Sequence, residues 1–410
     1  MKDEALAGVP MARAGAFGAA RFGSGFAHTF LPGKVVFGAG ALHRVADEVE
    51  GLGVRRVLVV ATNSARQAAD VVEAELGHRF AGRIDGVTQH VPTELATEAR
   101  AMASDLDVDA VVAIGGGSAI GLAKAVARTA PAPPEAHGVG REAHGVGREA
   151  HSVGIVAVPT TYAGSEMTPV WGETADGRKS TGTDVRVLPK VVVYDPELSR
   201  ELPLQVTTAS VANAIAHCVE AVWTPKADPI NDAVAVEGLR ALGDGLRAVL
   251  DEPRDLESRG LLLYGACLAG SALAAAGTGL HHKLCHFLGG TYNLPHAETH
   301  AAILPQVTRV NAPTVPETAR RLAAALNNGT PATAGPGGLA DATAGPSELA
   351  ERLFDLFRDV GAGTSLRDLG MSEGDVVEAA ARFVVVENPI PVDAALVREI
   401  LHRAWAGARP

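Results

Sequence analysis

The sequence predicts an α/β dinucleotide-binding domain with a mostly parallel sheet, followed by an all-α domain. From residue 34 to about 195, short β-branched runs alternate with helix-periodic segments, which is typical of a parallel sheet covered on both faces. Residues 205–405 are rich in Ala and Leu, helix-periodic and nearly free of β signal. We therefore predict a loose tail over 1–24, the α/β domain over 25–195 and the helical domain over 196–410.

The predicted strands and helices alternate in order along the first domain. The strands are short runs rich in Val and Ile, namely Lys34–Phe37, Arg55–Ala61, Gly86–His90, Val108–Ile114, Gly154–Val158 and Val191–Tyr194. Apolar residues at helical spacing predict helices at Ala41–Leu52, Ser64–Leu76, Glu94–Leu106 and Ser118–Arg128. In the second domain, clear periodic segments are Ala233–Leu250 and Leu256–Ala276.

Two segments look inserted into this pattern. Residues 135–154 repeat Glu-Ala-His-Gly-Val-Gly-Arg almost three times, and residues 329–347 repeat Ala-Thr-Ala-Gly-Pro. The histidines of the first repeat are seven residues apart, which on a Gly-rich loop fixes no coordination geometry. We therefore interpret both segments as surface loops, in preference to a metal-binding tract.

Composition restricts the possible partners. The 410-residue chain has a net charge of −11, which argues against a nucleic-acid surface, so an anionic substrate needs a local cationic patch. Three cysteines form no CxxC pair, which favours a reducing cytoplasm. We find no signal peptide and expect no apolar run of membrane-spanning length, hence no membrane partner.

A glycine-rich turn is the first candidate binding element. Gly115, Gly116, Gly117 and Ser118 follow a predicted strand and open a predicted helix. Glycines let the backbone approach a pyrophosphate closely, and the helix N-terminus offers free N–H groups and a positive dipole end. An ordinary strand-to-helix turn is the alternative, but three glycines and a Ser N-cap exceed what a turn needs. We predict phosphate binding here.

Two further strand ends carry polar side chains suited to a dinucleotide. Thr160, Thr161 and Ser165 follow the strand Gly154–Val158, where hydroxyls suit ribose and phosphate, although a plain Ser/Thr-rich turn has the same composition. Asn63 follows the strand Arg55–Ala61, where an acid commonly holds the ribose 2′-hydroxyl. Because Asn63 carries no charge to repel a 2′-phosphate, both NADH and NADPH stay open.

Histidines in the helical domain form the second candidate site. His282 and His286 are four residues apart and share a helix face, as do Asn213 and His217. His296 follows after a Gly-Gly and a Pro, which let the chain turn back. Imidazoles gathered this way indicate a metal site or an acid–base centre. A purely structural role is the alternative, and for the five residues together we favour a site, placed at the cleft between domains.

The neighbours of these histidines have separate interpretations. Lys283 is a cation that reaches the site from its rim or, equally, a solvated charge. Cys285 is either a nucleophile or a small buried residue, and we favour the latter. We interpret His281 as pointing away and His300 as structural.

At these residues the sequence resembles the iron-containing alcohol dehydrogenase superfamily, with its dehydroquinate synthase-like architecture, from about residue 28 to 400. Metal-dependent members carry Asp-x-x-x-His and Gly-Gly-Gly-Ser-x-x-Asp, whereas this chain has Asn213 and Gly121 at the two aspartate positions. Those members usually read Ala-His-Pro-Leu-Gly and Pro-His-Gly, but here the segments are Leu-Cys-His-Phe-Leu-Gly-Gly and Pro-His-Ala-Glu-Thr-His. With Tyr-Ala-Gly-Ser-Glu-Met-Thr-Pro at 162–169, these departures resemble the maleylacetate reductase subfamily.

The resemblance implies NAD(P)H-dependent reduction of the carbon–carbon double bond of maleylacetate to 3-oxoadipate, in bacterial catabolism of aromatic compounds. We expect His286 to be the proton donor or enolate stabiliser, with His217, His282, His296 and Asn213 shaping the pocket. We also expect Lys283 and Tyr162 to bind the substrate, a small dicarboxylate. A cytoplasmic homodimer is the subfamily expectation.

The metal expectation follows from one substitution. Loss of an anionic ligand at Asn213 lowers the pull on a divalent cation, so we expect no metal. Three alternatives stay open: a metal-dependent alcohol dehydrogenase of the same superfamily, a biosynthetic reductase of another enone, and a non-enzymatic dinucleotide-binding protein.

Overall fold

The computed structural model describes residues 25–31, 33–87, 91–129, 153–175, 178–326, 345, 347–363, 365–384 and 386–410. Within this range the chain forms two compact units. One runs from Pro32 to Leu202, and the other combines residues up to Leu31 with Pro203–Pro410. The predicted tail over 1–24 lies outside the described residues, as do nearly all of the two repeat segments.

The first unit contains a six-stranded parallel sheet. Its strands are β1 (Lys34–Phe37), β2 (Val57–Ala61), β3 (Phe80–Ile84), β4 (Ala110–Gly115), β5 (Gly154–Pro159) and β8 (Val191–Tyr194), while β6 (Val170–Ala175) and β7 (Arg178–Thr183) form a separate antiparallel hairpin. The strand order is β1-β8-β5-β4-β2-β3, and every neighbouring pair is parallel. The predicted fold class is confirmed.

Four helices accompany the sheet: α1 (Val45–Gly51), α2 (Arg66–Leu76), α3 (Thr93–Asp105) and α4 (Gly117–Thr129). Strands β2 and β4 are fully buried, as expected of near-continuous apolar runs between helices. The Val and Ala side chains of β2 and β4 form one core with residues of two helices, Val45 and Val49 of α1 and Val72 and Leu76 of α2. This core fixes the carboxyl ends of β2 and β4, where the candidate cofactor residues begin.

Two parts of the first unit differ from the prediction. The third strand is Phe80–Ile84, earlier than the predicted strand Gly86–His90. Of that predicted strand, Gly86 and Val87 lie outside any strand, with Gly86 at φ +72° in a left-handed turn conformation, and residues 88–90 lie outside the described residues. This edge strand is half-buried throughout, and it contains Arg83, which binds Asp85 at 2.8 Å. It therefore lacks the apolar run that predicts strands. The hairpin of β6 and β7 was not predicted, because β7 is made of polar residues and glycine and β6 has only two large apolar residues, Val170 and Trp171.

The second unit is helical. Its helices are α5 (Leu204–Ala221), α6 (Pro229–Asp251), α7 (Leu256–Ala276), α8 (Leu280–Tyr292), α9 (His296–Asn311), α10 (Pro316–Ala325), α11 (Glu348–Asp359), α12 (Glu373–Arg382) and α13 (Ala394–Ala406). Leu280, Leu284 and Leu288 line one side of α8 and pack with Ile303 and Val307 of α9 in a buried cluster. This packing leaves the polar side of α8 for the histidines.

Helix α7 corrects the expectation that no apolar run reaches membrane-spanning length. It has 21 residues, and an 18-residue stretch of it has a mean hydropathy of 1.4, which meets that criterion by length and composition alone. More than half of the stretch is buried against the rest of the chain. A Cβ on Gly265 would come within 2.7 Å of Leu242 on α6, so the two helices touch closely through small residues. These features are those of a core helix.

Candidate active site

Helix α5 presents a polar stripe inside an otherwise apolar helix. Asn213, His217 and Glu220 are four and three residues apart, so they share one face. His217 and Glu220 are 5% and 1% exposed, so neither is solvated. The His217 ring lies parallel to the ring of His282 on α8, with centroids 5.0 Å apart and planes at 19°. The two predicted pairs therefore do come together.

Glu220 fixes the start of α8 and the ring of His282. One carboxylate oxygen accepts from the backbone N–H of His281 at 2.6 Å, and the other lies 2.5 Å from His282 Nδ1. Burial raises the pKa of this carboxyl, but His282, His281 and backbone hydrogen bonds together outweigh the burial, and the net pKa falls to about 2. Glu220 is therefore a carboxylate, and it favours a proton on Nδ1 of His282. Glu220 is not among the residues predicted from the sequence, although its place three residues after His217 puts it on the same helix face.

Three buried polar atoms of this group have no hydrogen-bond partner: Asn213 Oδ1, His217 Nδ1 and His282 Nε2. Burial lowers the pKa of His217 well below its ordinary value, and His282 lowers it further, so the imidazole is neutral. Neutral imidazole nitrogens and an amide oxygen are metal ligands, and a histidine whose second nitrogen meets a carboxylate is typical of such sites. These residues fit a divalent metal ion.

His286 and His296 lie at the open side of the cluster. Helix α8 ends at Tyr292, its C-cap Asn293 has φ +53°, and Pro295 precedes α9, so the chain turns back as predicted. The rings of His286 and His296 stack with centroids 5.6 Å apart and planes at 22°. Both side chains are exposed, so a small molecule can reach them from solvent. Lys283, on the same helix, is exposed as well.

His281 and His300 form a buried extension of the cluster. His281 Nε2 lies 2.8 Å from His300 Nδ1, and His300 Nε2 lies 3.2 Å from His296 Nε2. Burial lowers the pKa of His281 to about 3, and burial likewise lowers that of His300 well below its ordinary value. His300 thus braces the ring of His296 from behind, a closer involvement than the structural role assigned from sequence.

Cys285 completes a second compact group with these two histidines. Its sulfur and ring nitrogens of His281 and His300 lie within 4.8 Å of one another, all of them buried. Burial raises the pKa of the Cys285 thiol well above its ordinary value. A thiol held protonated is a poor nucleophile, which agrees with the interpretation of Cys285 as a buried packing residue.

In the α/β unit, the carboxyl ends of three neighbouring strands meet. The backbone N–H of Thr160 donates to Gly115 O at 3.0 Å, so the β5 loop lies against the β4 turn. A Cβ on Gly116 would approach Thr161 to 3.1 Å, and one on Gly115 would approach Thr62 to 2.7 Å. Gly115, Gly116, Thr160 and Thr161, four of the eight predicted cofactor residues, are therefore brought together.

The remaining predicted residues of this unit fall in different places. Gly117 begins α4 and is exposed, so Ser118 lies inside the first turn instead of at the N-cap. Asn63 is exposed in the short helix after β2, and Ser165 follows the β5 loop. Tyr162 has no exposed surface. A fully buried side chain offers nothing for a ligand to contact, so the predicted role of Tyr162 in substrate binding does not fit the structure.

Comparison with known proteins identifies the class. The profile of the iron-containing alcohol dehydrogenase family matches residues 32–196, and that of the Fe-containing alcohol dehydrogenase family, C-terminal, matches residues 207–405. The chain belongs to the iron-containing alcohol dehydrogenase family. The solved structure of a 1,3-propanediol oxidoreductase superposes with a TM-score of 0.77 at 27% identity, covering 93% of this chain and 100% of that one.

Other relatives are more specific. The maleylacetate reductase of Sphingobium indicum is 42% identical over 94% of this chain and 99% of its own length. Maleylacetate reductase 1 of Rhodococcus opacus is 41% identical, with coverages of 94% and 98%. The crystal structure of maleylacetate reductase from Rhizobium sp. gives a TM-score of 0.81 at 37% identity, with coverages of 94% and 99%. The resemblance noted in the sequence is confirmed.

These matches overturn one expectation. Members of the iron-containing alcohol dehydrogenase family bind iron or another divalent metal, so the expectation of no metal is wrong. The inference from Asn213 gave too much weight to the missing charge. The amide oxygen of Asn213 can still bind a metal ion, and so can the two other unpartnered atoms of the group, His217 Nδ1 and His282 Nε2.

Proposed function

We propose that this protein is an oxidoreductase that uses NADH or NADPH to reduce the carbon–carbon double bond of maleylacetate to 3-oxoadipate, in bacterial aromatic-compound catabolism. The observation that carries the proposal is the similarity to maleylacetate reductases over 94% of the chain. An alcohol dehydrogenase activity on a C–OH bond is not favoured, since the departures at Asn213 and Gly121 and around His286 are those of the reductase subfamily.

The reaction adds a hydride and a proton across the double bond. When bound, NADH or NADPH would supply the hydride for the carbon β to the ketone, and the π electrons of the substrate would move toward the ketone oxygen. Recovery of the ketone then requires a proton at the α carbon. His286 is exposed and stacked on His296, so we assign it as the donor of this proton or as the group that stabilises the enolate oxygen.

The other residues of the cluster orient and bind. Asn213, His217, His282 and His296 would hold the divalent ion, which when bound supplies an electrophile beside the substrate oxygen. Glu220 orients His282, and His300 braces His296. Lys283 is exposed one residue after His282, and we assign it to a substrate carboxylate, since the net charge of −11 makes a local cation necessary.

The cofactor site that we propose lies at the strand ends of the α/β unit. Gly115–Ser118 would face the pyrophosphate through the N-terminus of α4, and Asn63, Thr160, Thr161 and Ser165 would contact ribose and phosphates. Gly121 has a local packing reason for departing from the family aspartate: even a Cβ there would approach the side chain of Val91 to 2.9 Å.

We also propose a cytoplasmic homodimer without nucleic-acid or membrane partners. The acidic net charge speaks against a nucleic-acid partner, the buried packing of α7 against a membrane partner, and the absence of a CxxC pair in the sequence favours a reducing compartment. The homodimer is carried over from the subfamily.

The test is turnover with authentic substrates. We expect the purified protein, loaded with Fe²⁺ or Zn²⁺, to oxidise NADH or NADPH with maleylacetate and to form 3-oxoadipate, identified by mass spectrometry. A panel of primary alcohols with NAD⁺ and a panel of other enones serve as the competing assays. Turnover of an alcohol or of another enone at higher kcat/KM than maleylacetate would reject the proposal.

A further inference from the structure

Lys124 is a buried cation that the proposed chemistry does not use. Its side chain on α4 is 0% exposed, and its Nζ donates to the backbone carbonyl oxygens of Ser165 at 2.7 Å, Thr168 at 2.8 Å and Val170 at 2.8 Å. Burial lowers the pKa of Lys124 to about 7, partly opposed by Glu166. An apolar side chain of the same length would avoid the cost of burying an amine. What lysine provides here, and an apolar side chain does not, is the three hydrogen bonds to these carbonyls.

These carbonyls belong to the segment that leaves β5. Ser165 closes the loop that starts at Thr160, and Thr168 and Val170 lead into β6. The start of the loop is held separately, because the N–H of Thr160 donates to Gly115 O at 3.0 Å and Thr161 packs against Gly116. The loop is therefore attached at both ends to one continuous segment of chain, the glycine-rich turn and the helix that follows it.

Glu166 reinforces the second attachment. Its carboxyl is 1% exposed, and one oxygen accepts from the hydroxyl of Tyr194 at 2.8 Å, at the end of β8. Lys124 and Glu166 interact electrostatically within this interior. The loop end is thus held by charge and hydrogen bonds from α4 and from β8. Without Lys124, the backbone carbonyls of this region would need other hydrogen-bond donors.

We propose that Lys124 is a positioning residue for the dinucleotide: Lys124 fixes the Thr160–Ser165 loop against the Gly115–Ser118 turn. The proposal rests on the proposed function, since it takes these two segments to contact the cofactor. Lys124 itself has no exposed surface and touches neither cofactor nor substrate. Its removal should therefore weaken cofactor binding and leave the chemical step nearly unchanged.

The test compares Lys124→Met with the wild-type enzyme and with Lys190→Met, an exposed lysine of the same unit. Fluorescence titration gives the Kd of NADH, and steady-state kinetics give kcat and both KM values. For Lys124→Met we expect a Kd and KM for NADH raised about tenfold or more, from three carbonyls losing their donor. We expect kcat at saturating NADH and the KM for maleylacetate to stay within about threefold, and Lys190→Met to match the wild type.

Each outcome decides between the two claims. An NADH Kd in Lys124→Met equal to that of the wild type overturns the positioning role, as does a fall in kcat with the Kd unchanged. A wild-type protein that binds neither NADH nor NADPH rejects the proposed function instead. Should Lys124→Met fail to fold, Lys124→Gln takes its place: its side chain is shorter and has two N–H donors for the three carbonyls, so at least one carbonyl loses its donor. We expect a smaller rise of the NADH Kd in that variant, and an unchanged Kd overturns the role.

Discussion

Glu220 joins two helices of the histidine cluster through one carboxylate. It accepts from the first N–H groups of α8 and from Nδ1 of His282, while His217, one turn earlier on α5, stacks on the same imidazole. The negative charge of Glu220 therefore has two effects: it stabilises the positive dipole end of α8, and it holds a proton on Nδ1 of His282. The unpartnered Nε2 of His282 is then the nitrogen available to an ion.

We predict that Glu220→Gln weakens divalent-metal binding. The amide keeps the volume but loses the negative charge that polarises His282, so we expect the Kd for Zn²⁺ to rise about 10- to 100-fold. Competition with a chromophoric chelator measures this constant without any assay of activity. Glu257→Gln, at an exposed position on α7, is the matched control. Equal affinities for Zn²⁺ in both variants would show that Glu220 does not tune the ligand.

We predict a different result for each of two neighbours on α8. His286→Ala should lower kcat by about 100-fold or more, the scale of general acid catalysis, with the Kd of NADH retained. Lys283→Ala should mainly raise the KM for maleylacetate, because it removes the cation assigned to a substrate carboxylate. Steady-state kinetics with both variants measure these constants. Near-normal kcat in His286→Ala would reject the assignment of His286 as proton donor or enolate stabiliser.

At this scale the sequence predicted the members of the cluster better than their contacts. Spacing was enough to place His282 with His286 and Asn213 with His217 on shared faces. It did not indicate that His281 and His300 would meet at 2.8 Å, because that contact depends on how α8 and α9 pack. It also did not single out Glu220, since one acid in an apolar helix is typical of a surface residue until the partner helix is known.

At the scale of elements, the first unit shows which patterns identify a strand. Runs of Val, Ile and Ala predicted β2, β4, β5 and β8 to within a few residues, because strands buried on both faces must be apolar on both. Strand β1 is largely exposed, and its two valines and Phe37 were enough to predict it. Strand β3 was displaced and the hairpin of β6 and β7 was missed. Their residues are half-buried or polar, so hydrogen bonding to neighbouring strands defines them and local composition does not.

Two glycines of the β4–α4 turn should respond differently to the same substitution. Gly117 has open space, with only Ala163 within 4 Å of where a Cβ would lie, whereas Gly115 has φ +148° and Thr62 at 2.7 Å. We predict that Gly117→Val folds normally and raises the KM for NADH several-fold or more, because its branched side chain occupies the place of the pyrophosphate. Gly115→Val should instead lower the thermal midpoint Tm.

Thermal unfolding and NADH kinetics of both variants test this contrast. An unchanged KM for NADH in folded Gly117→Val would place the pyrophosphate elsewhere. An unchanged Tm in Gly115→Val would mean that the turn relaxes without cost.

At the scale of the whole molecule, metal binding should be visible as stability. An ion held by Asn213, His217, His282 and His296 would join α5, α8 and α9 only in the folded state, so it should stabilise that state. We predict that exhaustive chelation lowers the Tm and the turnover rate, and that Zn²⁺ or Fe²⁺ at about 100 times its Kd raises the Tm by roughly 5–10 °C. Differential scanning calorimetry measures the shift.

The variant His217→Phe provides the control for that experiment. It retains a buried ring but lacks a ligand nitrogen, so its Tm should respond little to added metal. A Tm of the wild type that does not change with metal, at concentrations where binding is measured, would contradict ligation by this cluster.

The order of strands in the parallel sheet has a consequence for how the chain is made. Strand β1, the first to be synthesised, lies at the edge of the sheet and pairs with β8, from Lys34 opposite Val191 to Phe37 opposite Tyr194. The ribosome completes β2, β3, β4 and β5 before it reaches β8. Throughout that interval the nascent β1 lacks the strand with which it pairs in the folded unit. Its backbone N–H and C=O groups, and the side chain of Val36 that packs against the core of the folded unit, therefore stay exposed until β8 has been synthesised.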